Sequence, residues 1–326
     1  MDFNINYGKN NGKIIMITKE TVYSGILGGV VGDALGVPYE FNSREGMNRN
    51  PATTMRGYGT YNQPSGTWSD DSSMTLATLD SLTGGVDYTD MIDKFSKWIF
   101  QAEYTPYDDV FDYGNTTYKA LRKYEYNKLK PFECGLGGER DNGNGSLMRI
   151  MPAVIYANAK GYSIDKQVEF IDDISALTHA HPISKASCNI YNFISQEVIN
   201  NPEKSFQRLI EDGIDKSRKY YDNEDYSCFN RIYDSLFSLS IDDLSSKGYV
   251  VYSLEVALYC CYHTNSYREA VLMAVNLGRD TDTNAMIAGA LAGLYYGYSD
   301  IPSDWLNQIA RIDYIKELCD KFYEIL

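Results

Sequence analysis

Apolar side chains recur at intervals of three and four residues from Glu20 to the end of the chain, which is the spacing of one face of an α-helix. We find no convincing run in which apolar and polar residues alternate, which would predict strands, and no repeat of fixed period. The predicted helices span residues 21–36, 72–82, 89–101, 117–124, 147–159, 163–178, 184–200, 205–220, 253–263, 266–278, 283–296, 303–310 and 314–325. The pattern therefore predicts an all-α fold in which loops between helices carry the function.

The first predicted helix is rich in glycine. Its glycines at positions 25, 28, 29, 32 and 36 place small residues on one face, so a second backbone can approach closely. Before it, residues 1–18 are polar and are expected to form a flexible arm, which leaves residues 19–326 as one domain. Residues 221–247, the stretch richest in acids, serine and asparagine, are expected to form a surface excursion of that domain.

The chain is acidic, and its charge narrows the classes of partner. Its 326 residues include 44 acidic and 30 basic side chains, for a net charge of −14. This balance argues against binding of bulk nucleic acid through phosphate neutralisation and against docking on anionic membranes. The longest nearly uncharged stretch, residues 286–298, is too short to span a bilayer, and the first residues contain no signal-peptide core.

The six cysteines carry no recognisable metal or disulfide pattern. At positions 134, 188, 228, 260, 261 and 319, they form no CxxC pair and no zinc-like spacing with the three histidines. Without an export signal, we expect reduced, buried thiols in a cytoplasmic protein.

Two short motifs each place two carboxylates and at least one hydroxyl where a loop enters a predicted helix. They are WSDDSSM at 68–74 and GRDTDT at 278–283. Helix capping explains one such cluster, since aspartate and serine favour the N-cap and first turn. A cap does not need two acids with hydroxyls, however, so two clusters of this kind favour a metal site. Trp68, beside the first cluster, is either a wall of the resulting cleft or a packing anchor for the loop.

If the two clusters face each other, four carboxylates share one site. At about 4 Å and an effective dielectric constant near 20, two unit charges repel by about 4 kcal/mol. Such a group must take up protons or bind cations. Carboxylate and hydroxyl oxygens suit Mg²⁺, Mn²⁺ or Ca²⁺ rather than zinc or copper, and two divalent ions would balance four carboxylates.

Two further motifs each have a structural and a functional interpretation. GNGSLMR at 143–149 leads into a predicted helix, where glycines and free N–H groups suit a phosphate or a sugar, although a glycine-rich turn alone is usually structural. No GK[ST] follows, so this is not a Walker loop. THAHP at 178–182 places two histidines at a helix boundary, where a histidine acts as a cap, a packed ring or a ligand.

Together these motifs resemble those of the ADP-ribosylglycohydrolase family, the group that includes dinitrogenase-reductase-activating glycohydrolase and the ADP-ribosylarginine hydrolases. The resemblance covers residues 24–305. It rests on six motifs in the family's order, namely GDALGVPYE at 32–40, WSDDS at 68–72, FDYGNTT at 111–117, GNGSLMR at 143–149, THAHP at 178–182 and DTDT at 280–283. Each is weak alone, but the ordered set is specific. It implies a compact all-α domain with a dinuclear Mg²⁺ or Mn²⁺ centre at the bottom of a cleft.

The resemblance also implies the residues of that site. The implied metal ligands are Ser69, Asp70 and Asp71 from one side and Asp280, Asp282 and Thr283 from the other. The implied substrate-binding residues are Gly143, Asn144, Gly145 and Ser146, with His181 nearby and Trp68 at the cleft. The implied catalytic residue is Glu40 or Asp112, between which relatives differ, whereas Asp33 is expected to brace the first helix. The chain departs from the family's usual residues with Ser69 for threonine and Arg279 for glycine.

The implied activity is hydrolysis of the glycosidic bond between ADP-ribose and an acceptor. The expected partner is an ADP-ribosylated protein, arginine-linked first, or an ADP-ribose-containing small molecule. An ADP-ribosylated nucleic-acid end also remains a possible substrate. Bulk nucleic acid and membranes are not expected as partners. Two alternatives of other classes are a non-catalytic module that binds ADP-ribose and a metal-dependent phosphoesterase, which would use the same oxygen ligands.

Overall fold

A computed structural model of the chain describes residues 8–10, 13–15 and 17–326, and it confirms the all-α prediction. In this part of the chain the α-helices, α1 to α16 in order, are Lys19–Gly36, Arg44–Arg49, Asp70–Thr83, Tyr88–Gln101, Asn115–Asn127, Pro131–Cys134, Met151–Ala159, Ile164–Ala176, Pro182–Asn200, Phe206–Tyr221, Asn230–Asp234, Val250–His263, Tyr267–Asn276, Thr281–Tyr296, Ser303–Leu306 and Ile312–Glu324. Short 3₁₀ helices lie at Val37–Tyr39, Glu224–Phe229, Leu236–Ser238, Ile241–Asp243 and Tyr298–Asp300.

The N-terminal segment contains one hairpin that the sequence pattern does not predict. Strands β1 (Gly8–Asn10) and β2 (Lys13–Ile15) pair antiparallel, with Gly8 opposite Ile15. Three residues are too few for an alternating pattern to be recognised. The predicted flexible arm over residues 1–18 falls largely outside the described residues and stays a prediction.

Helix α1 packs along helix α14 with their backbones in close contact, as the glycine face of α1 predicts. A Cβ atom added at Gly28 would lie 2.6 Å from the carbonyl oxygen of Gly289, and one at Gly32 would lie 2.1 Å from that of Ala285. At the end of α1, a Cβ on Gly36 would lie 2.4 Å from the Cα of Asp282. Because no side chain fits between the two helices, α1 fixes the position of the first turn of α14.

The start of helix α3 is held against the same helix α1 by a buried carboxylate. Asp33, completely buried in α1, accepts hydrogen bonds from the backbone N–H groups of Ser69 (3.0 Å) and Ser72 (3.0 Å). Ser69 is the N-cap residue of α3, and its hydroxyl accepts from the N–H of Asp71. Asp33 therefore braces the loop that enters α3 and brings its first turn beside the first turn of α14.

Some helices begin or end at other residues than the sequence pattern predicts. The predicted helix 147–159 begins at Met151, with Pro152 in its first turn, and the predicted helix 303–310 ends at Leu306. The predicted surface excursion 221–247 contains three of the short 3₁₀ helices and the short helix α11.

All six cysteines are free thiols. Among the described residues, no helix is long and apolar enough to cross a membrane.

Candidate active site

The two acidic clusters that open helices α3 and α14 face each other. The hydroxyl of Thr283 in α14 donates a hydrogen bond of 3.3 Å to Asp71 Oδ2 in α3. One carboxylate oxygen from each of Asp33, Asp71 and Asp282 lies within 4.8 Å of the other two. The same holds for Glu40, Asp280 and Asp282. Asp282 thus belongs to two adjoining groups of three acids. The two acidic clusters therefore face each other, which is the condition for a shared metal site.

Hydrogen bonds within the two clusters fix the direction of the carboxylates. Ser69 donates from its hydroxyl to Asp71 Oδ2 at 2.9 Å, and Asp282 Oδ1 accepts from the N–H of Thr283 at 3.0 Å. Asp280 Oδ2 accepts from the side-chain amide of Asn144 at 2.7 Å. The loop 143–146 is therefore tied directly to the acids of α14.

Two buried carboxylate oxygens in this cluster are left without a hydrogen-bond donor from the described part of the chain. They are Asp71 Oδ1 and Asp282 Oδ2, on side chains that are 0% and 1% exposed. A buried anionic oxygen without a partner is costly unless a proton or a cation meets it. The donor set, carboxylates with serine and threonine hydroxyls, fits a hard divalent cation such as Mg²⁺ or Mn²⁺.

The shared burial of these acids opposes their ionisation. Burial raises the pKa of Asp33 to about 6, against hydrogen bonds from Ser72 and Ser69 that lower it. Burial, and then the charge of Asp112, raises the pKa of Glu40 to about 9. For three further acids burial is again the main cause of a raised pKa, and neighbouring carboxylates add to it; these are Asp70, Asp71 and Asp282. The cluster therefore favours either uptake of protons or binding of cations.

Glu40 and Asp112, the two candidate catalytic acids, lie together at the side of this cluster. The hydroxyl of Tyr61 donates a hydrogen bond to Glu40 Oε2, and Tyr61 also lowers the pKa of Asp112, which burial raises. Tyr61 packs its ring against Phe111 at 5.0 Å between centroids. Tyr61 is a residue that the sequence motifs did not single out, and its contact with Glu40 is a long-range consequence of the fold.

The acids form the floor of a cavity of about 560 Å³. Glu40, Asp70, Asp112, Asp280 and Thr283 line it, together with Gly143, Asn144 and Gly145 of the glycine loop. This volume is in the range of a ligand pocket for a molecule of nucleotide size. The other predicted ligands, Ser69, Asp71 and Asp282, lie beneath this lining and are buried.

His179, rather than the predicted His181, lines the cavity. It lies beside the glycine loop, since a Cβ atom added at Gly145 would lie 2.9 Å from its Cε1. His181 is the N-cap residue of α9, and its Nδ1 accepts from the N–H of Ile183 at 3.2 Å. Both histidines belong to the same motif, and residue spacing alone does not tell which ring turns inward.

A buried polar chain holds the ring of His179. Arg149, which is 0% exposed, donates from Nη2 to Thr178 Oγ1 at 2.9 Å and stacks its guanidinium over Phe95. Thr178 Oγ1 lies 2.8 Å from His179 Nδ1. The hydroxyl thus accepts from Arg149 and shares a hydrogen bond with Nδ1, which fixes the orientation of the ring. Burial, and then the charge of Arg149, lowers the pKa of His179 to about 3.

Two predicted substrate-binding residues lie away from the cavity lining. Ser146 is 0% exposed, and its hydroxyl accepts a hydrogen bond from Ser175 at 2.9 Å. Trp68 is also 0% exposed and donates from its indole N–H to the carbonyl of Tyr104, so it anchors the loop before α3. The structure thus corresponds to the packing interpretation of Trp68 that the sequence left open.

Three cationic side chains line the mouth of the cavity above the acidic floor. Arg140, Lys247 and Arg279 are exposed, and within the described residues none of them forms an ion pair. Two other lining residues, Phe41 and Tyr113, are exposed aromatics. Of these three, Arg279 alone belongs to one of the sequence motifs, whereas Arg140 and Lys247 reach the cavity from loops outside them.

Comparisons with known proteins agree with this fold. The chain matches the model of the ADP-ribosylglycohydrolase family over residues 16–326. It is 31% identical to the ADP-ribosylarginine hydrolase Tri1 of Serratia proteamaculans, over 91% of this chain and 77% of that protein. It is 28% identical to the ADP-ribosyl-[dinitrogen reductase] glycohydrolase of Rhodospirillum rubrum, over 87% of this chain and 88% of that protein.

A solved structure described as an ADP-ribosylglycohydrolase-related protein complex has the same fold, with a TM-score of 0.77 at 24% identity, over 94% of this chain and 98% of that one. The helical fold and the family match define the class of the protein as a hydrolase of glycosidic bonds. The chain belongs to the ADP-ribosylglycohydrolase family.

Proposed function

We propose that this protein is a Mg²⁺- or Mn²⁺-dependent hydrolase that removes ADP-ribose from modified arginine side chains. The observation that carries the proposal is the pair of acid groups that share buried Asp282, two of whose members, Glu40 and Asp280, line a cavity of nucleotide size. The similarity to an ADP-ribosylarginine hydrolase supports arginine as the acceptor. Serine, a nucleobase and a small molecule are the acceptors against which arginine must be tested.

The residues of the floor suit two divalent ions. One group would use Asp71 and Asp282 with the hydroxyl of Ser69, and the other Glu40, Asp280 and Asp282 with Asp70 and Thr283 nearby. When bound, such ions supply a Lewis acid that orients ribose hydroxyls and lowers the pKa of a bound water. The buried, unpartnered oxygens of Asp71 and Asp282 support this assignment.

The remaining residues position the substrate and move the proton. The glycine loop and the ring of His179 line the cavity and would bind the sugar or phosphate groups of ADP-ribose. Water attacks the anomeric carbon and a carboxylate takes its proton, while the bond to the acceptor nitrogen breaks. The guanidinium of the substrate leaves with the bonding pair as a neutral guanidine, which then takes up a proton. We assign this base to Asp112, because it lines the cavity but belongs to neither group of three acids, whereas Glu40 belongs to one.

The experiment compares release of ADP-ribose from ADP-ribosylarginine, ADP-ribosylserine and an ADP-ribosylated nucleotide under the same conditions with Mg²⁺. We expect the arginine substrate to have the highest kcat/KM. Asp112→Asn should lower kcat at least a hundredfold while the protein still binds Mg²⁺. Glu40→Gln should weaken Mg²⁺ binding. Equal or faster hydrolysis of another acceptor contradicts the arginine assignment, and full activity of Asp112→Asn contradicts its role as the base.

A further inference from the structure

Arg279 adopts a backbone conformation that an arginine rarely takes. Its φ angle is +67°, in the left-handed region, where a side chain costs free energy and glycine does not. Two short backbone hydrogen bonds hold it there: its N–H donates to Asn42 at 2.7 Å, and its carbonyl accepts from Phe41 at 2.6 Å. The strain is therefore imposed by a fixed pairing of two loops at the mouth of the cavity.

The residue paired with Arg279 shares the same peculiarity. Phe41 has a φ of +65° and a side chain that is 63% exposed, and it also lines the cavity. Two large side chains thus stand side by side in left-handed conformations and line the opening of the same cavity. Neither is needed to fill the core, so the packing of the protein does not account for the strain.

The charge of Arg279 is free for a ligand. The side chain is exposed and forms no ion pair with the described residues, although it interacts at longer range with exposed Glu45.

We infer that Arg279 binds the diphosphate of ADP-ribose at the mouth of the cavity, with Arg140 and Lys247 adding positive potential on the same lining. This rests on the proposed function, since the diphosphate is the one anionic part of an ADP-ribosylated arginine side chain. A planar guanidinium suits two phosphate oxygens, whereas it would repel the guanidinium of an arginine acceptor. The chain as a whole has a net charge of −14 and would repel a diphosphate. The three cationic side chains around this cavity supply the local positive potential that attracts it.

The test measures binding of ADP-ribose, ADP and adenosine by calorimetry, and melting temperature, for the wild type and variants. Arg279→Gly should weaken binding of ADP-ribose and ADP roughly tenfold and leave adenosine unchanged. It should keep or raise the melting temperature, because glycine relieves the strain. Arg279→Gln should bind as weakly as Arg279→Gly, and Arg279→Lys should recover part of the affinity. The matched control is Lys128→Gly, which removes another exposed cation with positive φ (+53°) away from the cavity and should not change binding.

The inference is wrong if Arg279→Gly and Arg279→Gln bind ADP as tightly as the wild type, or if adenosine loses as much affinity as ADP. It is also wrong if ADP affinity is kept and only the KM for an ADP-ribosylated protein changes, because Arg279 would then contact the acceptor. A wild type that does not bind ADP overturns it as well. A wild type that binds ADP but hydrolyses no ADP-ribosyl substrate contradicts the proposed function alone.

Discussion

Replacement of Asp282 by asparagine is predicted to stabilise the metal-free protein while removing its response to metal. Asp282 is 1% exposed and is the acid common to both groups of three, so it meets the largest number of neighbouring charges. Asparagine keeps the shape and an oxygen that can accept from the N–H of Thr283, which bonds to Asp282 Oδ1 at 3.0 Å. The change therefore removes a charge without removing the local hydrogen bond.

The separation of the acids sets the size of the effect. The oxygens of each group lie within 4.8 Å of one another. At that distance and an effective dielectric constant of about 20, two unit charges repel by about 3.5 kcal/mol. Shorter separations raise this value and protonation of the acids lowers it, so we take about 3.5 kcal/mol as the order of magnitude for each ionised neighbour. In a domain of this size that corresponds to a rise of roughly 5–10 °C in melting temperature.

The assay is thermal unfolding at neutral pH, with a chelator and then with a series of Mg²⁺ concentrations. For the wild type, Mg²⁺ at a hundred times its dissociation constant should add about 2.7 kcal/mol to the free energy of unfolding. Asp282→Asn should melt higher than the wild type in chelator and gain little from Mg²⁺. The matched control, Asp172→Asn, alters a half-buried acid outside the site, whose pKa burial raises to about 6, and should keep the full response. An Asp282→Asn protein that melts lower in chelator and still gains the wild-type increment from Mg²⁺ refutes the reasoning.

Three further predictions follow from single contacts. In Gly145→Ala, the new Cβ would lie 2.9 Å from His179 Cε1 and 3.0 Å from Thr117 Oγ1. Calorimetry should therefore show roughly tenfold weaker binding of ADP-ribose, while the circular dichroism spectrum stays unchanged. An unchanged affinity contradicts the position of the His179 ring beside the glycine loop. In Gly36→Ala, the overlap with the backbone of Asp282 should lower the free energy of unfolding by about 3 kcal/mol in a urea titration, and a neutral result contradicts the α1–α14 contact. Because the folded pKa of His179 is lowered to about 3, folding should lose about 1.4 kcal/mol per pH unit as the pH falls below about 6.5; His179→Gln should lack this component, and identical pH profiles for the two proteins contradict it.

Local sequence periodicity was sufficient for the helices other than the short α2, α6 and α11, and for the contact that organises the site. The glycine face of the first helix predicted a close neighbour, and α14 occupies that face through Gly289, Ala285 and Asp282. Paired acids at two helix starts predicted a shared site once the starts meet, and Asp33 supplies the bond that makes them meet. These features depend on neighbours along the chain or on one helical face, which a sequence displays directly.

The rest of the site depends on which way side chains turn in loops. His179 and His181 are two residues apart, on either side of the point where α9 begins, and the bond from Thr178 decides which ring is held beside the cavity. Tyr61 and Arg140 reach the site from loops whose paths are set by tertiary packing. Each strand of the β1–β2 hairpin has only three residues, which is too short to show an alternating pattern in the sequence.

The central claim, cation-dependent removal of ADP-ribose from arginine, is tested most directly by one measurement: the initial rate of ADP-ribose release from an arginine-ADP-ribosylated protein in Mg²⁺, in Mn²⁺ and in excess chelator. The predicted result is release with a divalent ion and loss of nearly all activity in chelator, which returns when the ion is restored. Asp70→Asn and Asp280→Asn should lose most of the activity with the fold retained. Full activity in excess chelator, or near wild-type rates in both variants, would contradict the account.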